Sequence, residues 1–171
     1  MTLRNPIVRF DAMGTDDIET IAQLGKTIWH AHYRSIISLE QIEYMLSNRY
    51  TPKSLYPYLD SGERWLVLLR IAEQTVGYFS YALTNREDEM KVEQLYLLPE
   101  FQSKGLGSLM LRHVEDEAHA RNISALVLQV NKQNVSAIAF YRKAGFVVRN
   151  EAIFDIGNGF VMDDYVMKKI L

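Results

Sequence analysis

The chain has 171 residues, 48% apolar and 23% charged, with a net charge of −2. That length suits one globular domain with a full core, and the near-neutral balance leaves no basic footprint for nucleic acid. The absence of cysteine excludes disulfides, thiolate nucleophiles and Cys-ligated zinc and fits a reducing cytoplasm.

Met1–Pro6 carries no apolar signal-peptide core. No apolar run approaches the ~18 residues of a membrane span. No repeat, low-complexity tract or long linker divides the chain. The expectation is a single domain over 1–171, cytoplasmic, with neither membrane nor nucleic acid as partner.

The elements follow in order. Ile7–Phe10 alternates as a first strand. Thr15 resembles an N-cap, with Asp16 and Asp17 in the first turn. Ile18, Ile21, Ala22, Leu24, Gly25, Ile28 and Trp29 recur at helical spacing, predicting a helix to about Tyr33. Ser38 with Gln41 forms a capping box for a helix over Leu39–Ser47. Thr51-Pro52 starts a third, short one. Trp65–Ile71 is a nearly continuous apolar strand, Glu73-Gln74 a tight turn, and Val76–Leu83 the returning strand. Asn85–Glu89 reads as a polar turn before the strand Val92–Leu98, which Pro99 ends. Leu106–Arg121 is a helix, Ala125–Val130 a buried strand, and Val135–Ala144 a helix stopped by Gly145. Phe146–Phe154 and Phe160–Lys169 make a hairpin around Gly157-Asn158-Gly159. The order β-α-α-β-β-β-α-β-α-β-β predicts an α/β protein, a mixed sheet with helices on both faces.

The most informative segment is Gln102-Ser103-Lys104-Gly105-Leu106-Gly107. It lies between a strand and a helix. Its glycines allow a ligand to approach the backbone, and amides at a helix N-terminus favour an anion. As a dinucleotide fingerprint it is poor. Met110 stands where the third glycine belongs, and Gln129-Val130-Asn131 offers no acidic residue for a ribose. No Walker loop occurs. A bare strand-to-helix turn stays open on these residues alone.

The wider run Leu95-Tyr96-Leu97-Leu98-Pro99-Glu100-Phe101-Gln102-Ser103-Lys104-Gly105-Leu106-Gly107 resembles the signature of the GNAT superfamily of acetyl-coenzyme A-dependent N-acetyltransferases. That signature is a strand, Pro-Glu-aromatic, then Gln/Arg-x-x-Gly-x-Gly/Ala opening a helix. The run Asn134-Val135-Ser136-Ala137-Ile138-Ala139-Phe140-Tyr141-Arg142-Lys143-Ala144-Gly145-Phe146 is similar to the family's later segment, Asn-x-x-Ala-x-x-Phe/Leu-Tyr-x-Lys/Arg-x-Gly-Phe. The two motifs stand in order and in the right elements, and the resemblance covers about residues 64–150 well.

The resemblance implies a GNAT-like fold, with a central, mostly antiparallel sheet splayed between its fourth and fifth strands. It implies acetyl-coenzyme A as co-substrate and a small-molecule amine or peptide as acceptor, a polyamine-like amine among the options. Direct attack would occur in a ternary complex. The family's residues carry over as follows. Gln102, Ser103, Lys104, Gly105, Leu106 and Gly107 hold the pyrophosphate, with Ser108 adding a hydroxyl or capping the helix. Leu95, Tyr96 and Leu97 run beside the pantetheine arm, and a backbone N–H near Leu97 polarises the thioester carbonyl. Asn134 and Lys143 lie on the coenzyme side, and Asn134 equally suits an N-cap. Tyr141 donates a proton to the leaving thiolate, against the alternative of a core tyrosine. Glu93, on one strand face with Lys91, Leu95 and Leu97, takes a proton from the amine through water, or else pairs with Arg or Lys.

Trp29, Tyr33, Tyr44 and Tyr81 are candidate acceptor walls. Glu40, Glu43, Asp155, Asp163 and Asp164 are candidate partners for an ammonium group, each with a plain core or surface alternative. His30, His32, His113 and His119 lack metal-ligand spacing, so no metal is expected. A non-catalytic acyl-coenzyme A sensor or interaction module stays open, whereas Met110 and the missing acidic residue disfavour an NAD-type binder. A homodimer stays open as well, since dimers are common in the family.

Overall fold

Seven strands form one mixed sheet: β1 (Val8–Ala12), β2 (Arg64–Ile71), β3 (Gln74–Leu83), β4 (Glu89–Leu97), β5 (Ala125–Asn131), β6 (Val147–Gly157) and β7 (Phe160–Ile170). Their order is β1-β2-β3-β4-β5-β7-β6. The helices are α1 (Ile18–Tyr33), α2 (Leu39–Arg49), α3 (Pro52–Leu55), α4 (Leu106–Ala120) and α5 (Val135–Lys143). The computed structural model describes residues 7–171; the expectation that no leader occupies Met1–Pro6 lies outside the described residues. These residues group into two compact units, one running to Ser80 and including 94–110, the other comprising 81–93 and 111–171.

In the first unit, β1 pairs antiparallel with β2, from Val8↔Ile71 to Ala12↔Val67. Arg70 holds this end with one nitrogen 3.3 Å from Asp11 and another 2.6 Å from Asp17. Thr15 does not cap α1. It opens a short 3-10 turn, and the Asp17 carboxylate accepts the Gly14 amide at 2.9 Å instead. A carboxylate reaching back three residues satisfies the N-cap amide, the half of a capping box that an acidic residue at the third helical position supplies. α1 buries Ile21, Leu24, Ile28 and Trp29 at helical spacing. Ser38 caps α2 by accepting the Gln41 amide at 3.1 Å, and Thr51 caps α3. Gly77 on β3 is required by close approach: a Cβ there would lie 2.5 Å from the Tyr96 carbonyl oxygen.

In the second unit, β4 and β5 pair in parallel over Glu89↔Ala125, Met90↔Leu126 and Lys91↔Val127. This parallel pair is what makes the sheet mixed, as the element order predicted. β5 pairs antiparallel with β7 along its whole length. β7 pairs antiparallel with β6, with register shifts at Val148/Asn150 and Asp155/Gly157. Gly157, Asn158 and Gly159 all take positive φ in the connecting turn.

β4 begins at Glu89, where a polar turn was predicted. The carboxylate of Glu89 is 3% exposed and accepts from Arg149 at 2.9 and 3.1 Å and from Lys168 at 2.8 Å. Burial pushes this carboxyl up, but the hydrogen bonds from Lys168 and Arg149 outweigh it and hold it below the usual carboxylate range. A buried anion with two cationic donors therefore serves as a strand residue.

Candidate active site

The segment after β4 turns through a 3-10 turn, Pro99–Phe101, and opens into α4. Ser103 and Gly105 both have positive φ, +60° and +78°. Alternation of left- and right-handed conformations turns successive amides toward one side and makes an anion-binding concavity. Among the described residues, no amide from Ser103 to Ser108 donates to a backbone carbonyl, whereas Gln102 and Leu109 on either side do. A Cβ at Gly105 would meet nothing within 4 Å, so backbone conformation, and not space, is what selects glycine there. The Gln102 amide nitrogen donates to the Leu97 carbonyl at 3.3 Å, tying the loop to the end of β4. The Lys104 ammonium lies 5.3 Å from the centre of the Phe101 ring. Sequence pattern had pointed to this loop; the positive φ of Ser103 was not legible in it.

The inward face of β4 in the first unit carries a polar network that sequence reading missed. The Tyr50 hydroxyl accepts from the Trp29 indole at 3.1 Å and from the Tyr78 hydroxyl at 2.5 Å, and donates to Gln94 Oε1 at 2.8 Å. Gln94 Nε2 reaches the Ser80 hydroxyl at 3.0 Å and the Tyr58 hydroxyl at 3.4 Å, and Arg64 donates to Tyr58 at 2.8 Å. Burial pushes both the Tyr50 and Tyr78 phenols far up, so each stays neutral. Two sequence signals bear on it: a glutamine within an apolar strand, Gln94, and Gly25, whose missing Cβ leaves room for the Tyr50 ring. Trp29 and Tyr33, expected as acceptor walls, join this cluster with ring centres 4.4 Å apart, and the Tyr33 and Tyr96 hydroxyls meet at 3.1 Å.

In the second unit, Asn134 is buried and caps α5, its Oδ1 accepting the Ala137 amide at 3.3 Å. The capping role is thus realised. Tyr141 is half-buried on α5, its ring 5.6 Å from Phe146 and 5.2 Å from Phe140. Lys143 is exposed at the end of that helix. Glu93 is half-buried on β4, two residues past the paired segment. Tyr81 belongs to this unit and not to the Trp29 cluster. It is buried with its ring 6.3 Å from His113, and burial raises its phenol. Asp163 pairs with Lys132 at 2.7 Å, and Asp155 accepts the Gly157 amide. Among the described residues, no group of three or more potential ligands could hold a metal, and no helix is long and apolar enough to cross a membrane.

A family model, the acetyltransferase (GNAT) family, matches residues 29–146. The chain belongs to the GNAT family. This GNAT protein is an acyltransferase, and its named relatives are N-acetyltransferases. It is 26% identical over 155 residues to a spermidine N(1)-acetyltransferase of Thermoplasma acidophilum, a match covering 88% of this chain and 92% of that one. It is 36% identical over 93 residues to the ribosomal protein bS18-alanine N-acetyltransferase of Salmonella typhimurium, over 54% of this chain and 60% of that one. Among solved structures, the PaiA N-acetyltransferase of Thermoplasma acidophilum, in complex with coenzyme A, superposes with a TM-score of 0.82 at 22% identity, covering 96% of this chain and 99% of that one. A GCN5-related N-acetyltransferase from Rhodopseudomonas palustris gives 0.79 at 20% identity, covering 100% and 99%. At these identities the two structures establish the GNAT fold.

Proposed function

We propose that the GNAT protein acts as one domain over its whole length and transfers the acetyl group of acetyl-coenzyme A to a primary amine of a small molecule or peptide. The observation that carries this reading is the loop from Ser103 to Ser108, whose amides have no backbone acceptor and whose two positive-φ residues favour an anion. A pyrophosphate suits such a loop at a helix N-terminus. The relative solved with coenzyme A supports the same donor.

In this reading Gln102 holds the loop against Leu97, and the loop amides with Lys104 and Ser108 bind the pyrophosphate. Leu95, Tyr96 and Leu97 flank the pantetheine arm, and the Leu97 amide stabilises the developing oxyanion. Asn134 and Lys143 contribute on the coenzyme side. Glu93 removes the ammonium proton through a water. The neutral amine forms the new C–N bond as the C–S bond breaks, Tyr141 gives the departing thiolate a proton, and the proton lost from the new amide nitrogen restores the Tyr141 phenol through solvent.

Calorimetric titration of the full chain with acetyl-coenzyme A, followed by assay of thiol release over an amine and peptide panel, tests this reading. Saturable donor binding with amine-dependent release of coenzyme A is expected. Absence of binding at millimolar donor would remove the reading. Tight binding without any acetylation would turn it into that of an acyl-coenzyme A sensor.

A further inference from the structure

The acceptor side of the first unit carries a cation where an acetylator of polyamines would place an anion. On α2, Ile42, Met45 and Arg49 follow one another at i, i+3 and i+7 and so share one stripe. Ile42 and Met45 are buried on it, and Arg49 continues it at the helix end. The Arg49 guanidinium carbon lies 5.5 Å from the centre of the Trp29 ring. Trp29 in turn stands 4.4 Å from Tyr33 and 5.9 Å from Tyr96, ring centre to ring centre. Arg49 itself is exposed. Among the described residues, no carboxylate pairs with it. Glu40 and Glu43, the acidic residues of α2, lie off that stripe and are exposed, and Glu43 is engaged by His30 at 2.8 Å.

Arginine over an indole keeps its plane fixed and its N–H edge available to a planar anion. The Tyr33 and Tyr96 hydroxyls hydrogen-bond to each other at 3.1 Å, so the pair can offer at most one proton to an added anion. Tyr96 directly precedes Leu97, the proposed oxyanion donor, so the residue that carries this ring is the neighbour in sequence of that amide. A polycation there meets like charge, whereas a carboxylate gains a charge-assisted, two-pronged hydrogen bond.

We propose that the acceptor is an amine that also carries a carboxylate, bound through that carboxylate by Arg49 together with one hydroxyl of the pair Tyr33 and Tyr96. This rests on the acetyltransferase reading and specifies its second substrate. It differs from the polyamine named for the Thermoplasma relative.

The test is a panel of amino acids and dipeptides, each compared with its own carboxamide and its decarboxylated amine, plus spermidine, at saturating acetyl-coenzyme A. The carboxamide has the less basic amine and so presents more of the neutral nucleophile, which means that amine pKa alone would favour it. The full chain should nevertheless turn over the best carboxylate with kcat/KM about tenfold or more above its carboxamide. In Arg49→Gln that ratio should fall to about one, and Arg49→Lys should keep part of it, since lysine retains charge without the fork. Donor binding by calorimetry, measured on each variant, separates the levels. If acetyl-coenzyme A does not bind, the acetyltransferase reading fails and this inference with it. If it binds and amines are acetylated, but carboxamides or spermidine match the carboxylates, or Arg49→Gln leaves the ratio unchanged, only this inference is overturned. The panel on the unmodified chain decides the matter even if a variant does not fold.

Discussion

The Tyr50 hydroxyl is the hub of the buried network, and Tyr50→Phe removes three hydrogen bonds with one atom. Two donors, the Trp29 indole and the Tyr78 hydroxyl, lose their acceptor, and Gln94 Oε1 loses a donor. Trp29 is 1% exposed, Tyr78 0% and Gln94 7%, so water cannot readily replace the missing oxygen. Each buried group left unsatisfied costs about 1–3 kcal/mol. Rotation of the Tyr78 hydroxyl, and removal of the cost of burying Tyr50's own hydroxyl, offset part of this. The expected loss is about 2–4 kcal/mol. Tyr78→Phe removes only one donor and leaves Tyr50 bonded to Trp29 and Gln94, so its loss should be about 1 kcal/mol. For a chain of this length the difference corresponds to several degrees in Tm, at about 2–4 °C per kcal/mol. Urea denaturation monitored by tryptophan fluorescence measures both variants, with equal m-values required for the comparison. If Tyr50→Phe costs no more than Tyr78→Phe, the hub description is wrong.

The same phenols predict alkaline sensitivity. Burial raises the Tyr50 and Tyr78 pKa above the unfolded value of ~10. Their contribution is therefore complete below pH ~10 and is lost as pH rises further, by about 1.4 kcal/mol per pH unit per tyrosine, because only the unfolded chain ionises there. Stability of the parent measured from pH 9 to 11 should fall more steeply than that of Tyr50→Phe; parallel curves would contradict the assignment. Gly105→Ala must hold φ +78° with a side chain, costing about 1–2 kcal/mol. It should raise the KM for acetyl-coenzyme A about tenfold; an unchanged KM would detach the loop from donor binding. Tyr141→Phe should lower kcat by about a hundredfold or more with donor affinity retained, as checked by turnover and calorimetry side by side. Glu89→Gln leaves Arg149 and Lys168 facing a neutral amide. It should cost about 1–3 kcal/mol at pH 7, with the gap to the parent closing as pH falls through the carboxylate range, since the lowered Glu89 pKa contributes only above it.

Local chemistry made much of this GNAT protein legible from sequence. Helical spacing from Ile18 to Trp29, the Ser38 and Thr51 caps, the apolar run before Ile71 and the glycines around Asn158 each depend on residues a few positions apart. The loop from Gln102 to Gly107 belongs to the same class, because a strand, a proline, two glycines and a helix occupy one short stretch. The partners of buried polar groups were not legible. Tyr50 meets Gln94 across 44 positions, and Glu89 meets Lys168 across 79. The local partner of Glu89, Arg86 at 3.5 Å, suits a turn carboxylate equally well, and β6 and β7 add the two distant cations that make it a buried anion. Arg49 reads as an ordinary charged residue at a helix end, and only the fold sets it over Trp29. Periodicity fixes which face a residue occupies; the electrostatic meaning of that face comes only from the distant side chains the fold delivers to it.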